Sequence, residues 1–204
     1  IKLDTVGPPL QNTAVKISDD GEILVKGENM MNGYWNDPES TNKTIINGWV
    51  HTGDIGELDN DNYLKITDRK KDIIVNAGGD NISPTRIEEK LNINSEIAQS
   101  MLYGDFKNYL VAIVVPDKDF MKKWAQENNK DFNISEIIKD EDFIKIIKET
   151  VDRVNKNVSV IENVRKFLLI EEDFTVENDM MTPTLKVRRF KVKEKYQEKL
   201  NNLY

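Results

Sequence analysis

Cysteine is absent from this 204-residue sequence, and histidine occurs once, at His51. The first absence excludes a disulfide framework, a thiolate zinc site and a cysteine nucleophile. The second leaves too little imidazole for a histidine-based metal cluster or a Ser-His-Asp triad. No run of apolar residues is long enough to span a bilayer. Glycine is sparse, and Gly78-Gly79 is the only adjacent pair, far short of a P-loop or a dinucleotide fingerprint. Basic residues do not predominate: 29 Lys and Arg against 36 Asp and Glu give a net charge of -7, which argues against nucleic-acid binding. The opening residues, Ile1-Lys2-Leu3-Asp4, carry neither an initiator methionine nor a signal-peptide pattern. They read as the start of a piece of something longer. Asn-x-Ser/Thr triplets at Asn42, Asn81, Asn133 and Asn157 are read as chance, and a cytoplasmic location is expected.

What is present is an ordinary globular composition, 38% hydrophobic and 32% charged, with a mean hydropathy of -0.58. The length suits one large or two small domains. Residues 1–70 read as short strands. Val15-Lys16-Ile17 and Ile23-Leu24-Val25 flank Asp19-Asp20-Gly21, and Leu58 and Tyr63-Leu64-Lys65-Ile66 flank Asp59-Asn60-Asp61-Asn62, two hairpin signals. The second begins like a calcium loop, but Leu64 stands where that loop needs glycine. At most a short helical turn is expected after Asp37-Pro38. From residue 71 onward, strands and helices alternate. Ser83-Pro84 opens a helix to about Leu91, strands fall near 97–103 and 109–115, and a helix follows Pro116. One helix is expected from Ser135 through Val158, with Ile144, Ile147, Val151 and Val154 on one face. Phe167-Leu168-Leu169-Ile170 reads as a strand. A last helix from Arg189 carries Val192, Tyr196, Leu200 and Leu203. The expected fold class is α+β.

Three segments in order carry a resemblance. Gly21-Glu22-Ile23-Leu24-Val25-Lys26-Gly27 runs into Met31-Asn32-Gly33-Tyr34-Trp35-Asn36-Asp37-Pro38-Glu39. Then come Gly48-Trp49-Val50-His51-Thr52-Gly53-Asp54-Ile55-Gly56 and the stretch from Ile66-Thr67-Asp68-Arg69 through Gly78-Gly79 to Ser83-Pro84 and Ile87-Glu88. Together they resemble the adenylate-forming superfamily of AMP-forming acyl-CoA synthetases, aryl-CoA ligases, luciferases and peptide-synthetase adenylation domains. The resemblance covers nearly the whole chain and is weakest between about 118 and 162. It implies that residues 1–70 are the β-rich, partial-barrel end of a large domain and 71–204 a mobile α+β cap.

The same resemblance implies roles for residues. Asp54 would take the ribose hydroxyls of ATP, since a carboxylate offers two acceptor oxygens. Arg69 would sit near the ribose and phosphate as a permanent planar cation. Lys71 falls at the hinge about which the cap swings, and Gly78-Gly79 would line the tunnel for the CoA pantetheine. Lys186, in Met181-Thr182-Pro183-Thr184-Leu185-Lys186-Val187-Arg188-Arg189, would be the catalytic lysine of adenylation, stabilising charge that builds on the α-phosphate. Many members have glycine just before this lysine, and here it is Leu185. The Thr-Pro-Thr-x-Lys form resembles the long-chain fatty-acid CoA ligase branch. The implied substrates are a fatty acid, ATP and CoA, with Mg2+ held mainly by a large N-terminal domain outside these residues. No phosphate-cradling loop ending in Lys is present, so the chain alone is expected to form no acyl-adenylate. Two other readings stay open: an aryl-CoA ligase or carrier-protein adenylation domain, and a stand-alone interaction module. The basic stretch from Lys186 to Lys199 reads as a solvated helix face, a contributor to binding CoA phosphates, or a peripheral membrane patch.

Overall fold

The computed structural model describes residues 2–204. It divides into two compact units, one ending at Ile73 and one spanning Ile74–Tyr204.

The first unit is an open antiparallel sheet. Strands β1 (Thr13–Ile17) and β2 (Glu22–Gly27) form the expected hairpin, with Ile17 opposite Ile23 and Gly21 at φ +84 in the turn. Asp37 caps a helix α1 (Pro38–Thr44) by accepting the Ser40 N–H at 2.9 Å, and Pro38 takes the first helical position. The short turn expected there is thus a seven-residue helix, although none of its residues is buried. Strand β3 (Ile45–Ile46) turns back onto the long β4 (Trp49–Leu58), which also pairs with β2 and with β5 (Leu64–Arg69). The β4–β5 turn is a hairpin: the Asp59 carboxylate accepts the N–H groups of Asp61 and Tyr63 at 2.8 and 2.9 Å. Ile23 and Leu24 are the large apolar side chains this unit buries among the described residues.

The second unit is built on a buried strand. A two-rung hairpin, β6 (Ile74–Val75) with β7 (Asn81–Ile82), leads into α2 (Pro84–Asn92). Strands β8 (Ile97–Tyr103) and β9 (Leu110–Pro116) follow, then α3 (Lys118–Glu127), α4 (Ile134–Ile137) and α5 (Glu141–Asn155). Strand β10 (Val164–Leu169) and α6 (Arg189–Asn201) close the unit. The sheet order is β10-β9-β8, with β10 parallel and β8 antiparallel to β9. Every residue of β9 is buried, because both faces of the sheet are covered. Leu110, Ala112 and Val114 face one cluster with α2, α3 and α5, where Phe143, Ile147 and Val151 pack. Val111, Ile113 and Val115 face the other, with Val192, Tyr196 and Leu200 of α6.

The single helix expected from Ser135 is two. The chain breaks after Ile137, and Asp140 becomes the cap of α5, accepting the N–H groups of Asp142 and Phe143 at 3.0 and 3.4 Å. An aspartate offers the backbone this alternative to a continuous helix. Val158 lies past the end of α5, still packed on the core. Strand β10 begins at Val164, three residues before the expected start, and Ile170 follows its end while still donating its N–H to Val114. Among the described residues no helix is long and apolar enough to cross a membrane.

Candidate functional site

In the first unit the local geometry centres on an irregularity of β4. Leu24 pairs with His51 and Glu22 with Ile55, so extra residues around Thr52-Gly53-Asp54 bulge out of the ladder. Gly53 stands at φ +71, which a side chain would strain. The bulge is fixed from within: the Thr52 hydroxyl donates to the Ile23 carbonyl at 2.8 Å and accepts the Asp54 N–H at 3.1 Å. Asp54 and Arg69 face each other across β4 and β5, and Arg69 Nε meets Asp54 Oδ1 at 2.7 Å. The structure therefore brings these two expected nucleotide residues into one ion pair, which fixes the orientation of the carboxylate.

Beneath them lies a residue to which the sequence motif gives no role. Glu22 is 4% exposed, and its carboxylate accepts the Gly53 N–H and His51 Nδ1 at 2.9 Å and Lys70 Nζ at 3.0 Å. Burial alone would raise its pKa, but the hydrogen bonds from His51, Lys70 and Gly53 outweigh that and hold it below the ordinary carboxylate range. Lys70 also meets Asp20 at 2.7 Å, and these two carboxylates hold its ammonium pKa above the usual value. The lone histidine is thus half-buried against a carboxylate. Lys71 follows at once, exposed, in a single 3-10 turn over Lys70–Asp72. Gly53, Arg69, Lys70 and Lys71 line one shallow, open depression.

The second unit holds the other expected residues, on separate loops. Gly78-Gly79 form the tip of the β6–β7 hairpin. Asn76 Oδ1 accepts the N–H groups of Gly78 and Asp80, both at 2.9 Å, and Gly79 adopts φ +86. A Cβ on Gly78 would come within 3.2 Å of Asn76 Oδ1, whereas Gly79 faces open space. One glycine answers to a close approach and the other to a backbone angle. The hairpin is braced by Phe106 N–H to the Val75 carbonyl (2.8 Å) and Ala77 N–H to the Lys107 carbonyl (3.0 Å).

Lys186 is exposed at the end of a tight loop. Thr182 N–H donates to the Lys186 carbonyl at 2.8 Å, Lys186 N–H to Thr182 Oγ1 at 3.1 Å, and Leu185 N–H to the Thr182 carbonyl at 2.8 Å. Closing this loop places Leu185 at φ +60. That position is left-handed, where glycine is at ease and leucine is strained. The next turn of chain is anchored by a second unforeseen carboxylate. Glu88 of α2 receives Arg189 Nη1 at 2.7 Å and Nη2 at 2.5 Å. Its neighbours Ile87 and Leu91 mark the inward face of α2, which is the signal that could have drawn attention to it. Among the described residues no cluster of three or more His, Asp and Glu side chains is arranged to hold a metal ion.

Residues 71–204 match the family described as "AMP-binding enzyme C-terminal domain". The chain is 37% identical to the long-chain-fatty-acid–CoA ligase FadD15 of Mycobacterium tuberculosis, covering 100% of this chain and 34% of that protein. It is 35% identical to human long-chain-fatty-acid–CoA ligase 6, over 98% of this chain and 31% of that one. Its fold matches the crystal structure of the adenylation domain of a carboxylate reductase from Mycobacterium chelonae with a TM-score of 0.79 and 25% identity, over 97% of this chain and 31% of that one. The chain thus spans about a third of the curated relatives it matches.

Proposed function

The chain belongs to the AMP-binding enzyme family, whose C-terminal domain its residues 71–204 match, and from that premise we propose that it serves as the C-terminal part of a long-chain fatty acid–CoA ligase. In the whole protein, a fatty-acid carboxylate oxygen attacks the α-phosphorus of ATP, and the bond to pyrophosphate breaks. The thiol of CoA then attacks the acyl carbon of the acyl-adenylate. The new C–S bond forms, the C–O bond to AMP breaks, and the thiol gives up its proton. The first unit is the closing part of a large domain, and the second is a cap that turns about Lys71.

Asp54, aimed by Arg69, accepts the ribose hydroxyls. Lys186 serves the first step, placing an ammonium where negative charge builds on the α-phosphate. The Gly78-Gly79 hairpin serves the second, letting the pantetheine arm pass close to backbone. Lys70, held by Asp20 and Glu22, keeps the stationary side of the hinge in place, so that rotation falls on the exposed Lys71. Among the described residues no side-chain cluster is arranged to hold Mg2+, and none of these steps is assigned to it. A cytoplasmic location belongs to the same reading.

The observation that carries the long-chain assignment is that relatives matched over 98–100% of this chain include long-chain-fatty-acid–CoA ligases, while the Thr182–Lys186 loop, closed on its own threonine, presents Lys186 to solvent for the first step. The exposure of Leu3, Leu10 and Trp35, in a unit that buries Ile23 and Leu24, supports a sheet completed by further protein. The test is a substrate panel on the full-length protein, with AMP and acyl-CoA as readouts. Turnover concentrated on long-chain fatty acids with CoA is expected. A preference for aromatic acids, or for a carrier-protein thiol over CoA, would overturn the assignment.

A further inference from the structure

Glu88 is 7% exposed, inside the second unit, yet it is a carboxylate. Leaving it unpaired there would be strongly unfavourable. Its donors come from two directions: the Leu102 N–H of β8 at 2.6 Å, and the Arg189 guanidinium in a two-pronged contact at 2.7 and 2.5 Å. Arg189 is the first residue of α6 and stands three positions after Lys186. Its neighbour Arg188 is tied as well, by its N–H to the Met180 carbonyl at 2.8 Å and by an ion pair with Asp179. The loop that carries Lys186 therefore leaves and re-enters the fold through fixed points.

Stability alone is a poor reason for this arrangement. A buried ion pair is often no more stabilising than well-packed apolar residues, because both charges lose their hydration. A forked contact does fix direction, since the planar guanidinium and the carboxylate align along two bonds at once. The geometry points to the Glu88–Arg189 pair as the positioning element for Lys186, registering the loop on α2, the helix that follows directly from the Gly78-Gly79 hairpin. This inference rests on the reading of Lys186 as the lysine of adenylation. Glu88 and Arg189 themselves act through Lys186 and touch no substrate.

The test uses the full-length protein with Glu88→Gln, Arg189→Lys and, alongside them, Lys186→Ala. Glutamine keeps the size of Glu88 and an acceptor for Leu102, but turns an amide N–H2 toward the guanidinium. Lysine keeps the charge of Arg189 and loses the fork. Misplacing a reacting group by about 1 Å is worth roughly a hundredfold in rate, so ATP–pyrophosphate exchange should fall about 10- to 100-fold in Glu88→Gln, through kcat. Conversion of supplied acyl-adenylate to acyl-CoA should stay within about twofold. Arg189→Lys, the gentler change, should move in the same direction and stands in if Glu88→Gln does not fold. Parallel loss of both half-reactions, or no change in either, would overturn the inference. If Lys186→Ala loses adenylation selectively while the pair variants do not, the pair has no positioning role and the reading of Lys186 survives. If Lys186→Ala spares adenylation, both fall together.

Discussion

Leu185 holds a left-handed backbone at φ +60 while its side chain is 70% exposed, so its substitutions isolate backbone strain from burial. Comparing Leu185→Gly with Leu185→Ala removes the leucine side chain from the comparison altogether. In ordinary helix or strand the alanine variant would be the more stable by about 0.5–1 kcal/mol, because glycine loses more chain entropy on folding. Here the left-handed conformation costs alanine about 1–2 kcal/mol, and glycine almost nothing. The balance reverses, and Leu185→Gly should exceed Leu185→Ala by about 0.5–1 kcal/mol. For a unit of this size that is a difference of roughly 2–4 °C in Tm. Thermal unfolding of the 204-residue chain, followed at 222 nm, reads it, because helices α2 to α6 all belong to the second unit. A glycine variant equal to or less stable than the alanine variant would refute the conformation assigned to the Lys186 loop.

The first unit offers a companion contrast. A Cβ on Gly56 would lie 2.3 Å from the Lys65 carbonyl oxygen, so Gly56→Ala must push β5 from β4 and should cost about 2 kcal/mol or more; Gly53→Ala meets no atom and should cost about 1 kcal/mol, both read by urea unfolding. Phe143→Ala should destabilise the second unit by about 3–5 kcal/mol in the same assay, since Phe143 is fully buried with its ring 5.2 Å from that of Trp124. The acid response follows from Glu96 and Glu162. Burial would raise both carboxyls, but Arg153 and Thr150 at the first, and Ser159 and Arg86 at the second, hold their pKa values below the ordinary 4.5. Their contribution is complete above that unfolded value and is lost as pH falls through the lower folded values. Thermal unfolding should therefore be steady from pH 7 to about 5 and decline below about 4.5, and an undiminished Tm at pH 3 would contradict this.

Much of this was legible in the chain before the structure. The strands near 97–103 and 109–115 were expected, and the turns Asp19-Asp20-Gly21 and Asp59-Asn60-Asp61-Asn62 gave their hairpins. The stripe Val192, Tyr196 and Leu200 foretold which side of α6 packs. What escaped sequence reasoning depends on partners distant along the chain or on a local competition. Nothing near Glu88 announces Arg189, 101 residues away, and nothing near Glu22 announces Lys70, 48 residues on. Asp140 broke an otherwise good helical stripe, because a cap hydrogen bond competes with continuing the helix. The leucine before Lys186 stood out only as a departure from a family habit. The structure puts a left-handed residue there, at φ +60, where glycine would be at ease.

The central claim is that the second unit delivers Lys186 to the adenylation step. Its most direct test is Lys186→Ala in the full-length protein, with each half-reaction assayed separately. Loss of one preorganised charge-stabilising group is worth roughly 100- to 1000-fold, and ATP–pyrophosphate exchange should fall by about that factor while supplied acyl-adenylate is still converted to acyl-CoA at close to the normal rate. Equal loss in both half-reactions, or undiminished pyrophosphate exchange, would contradict it.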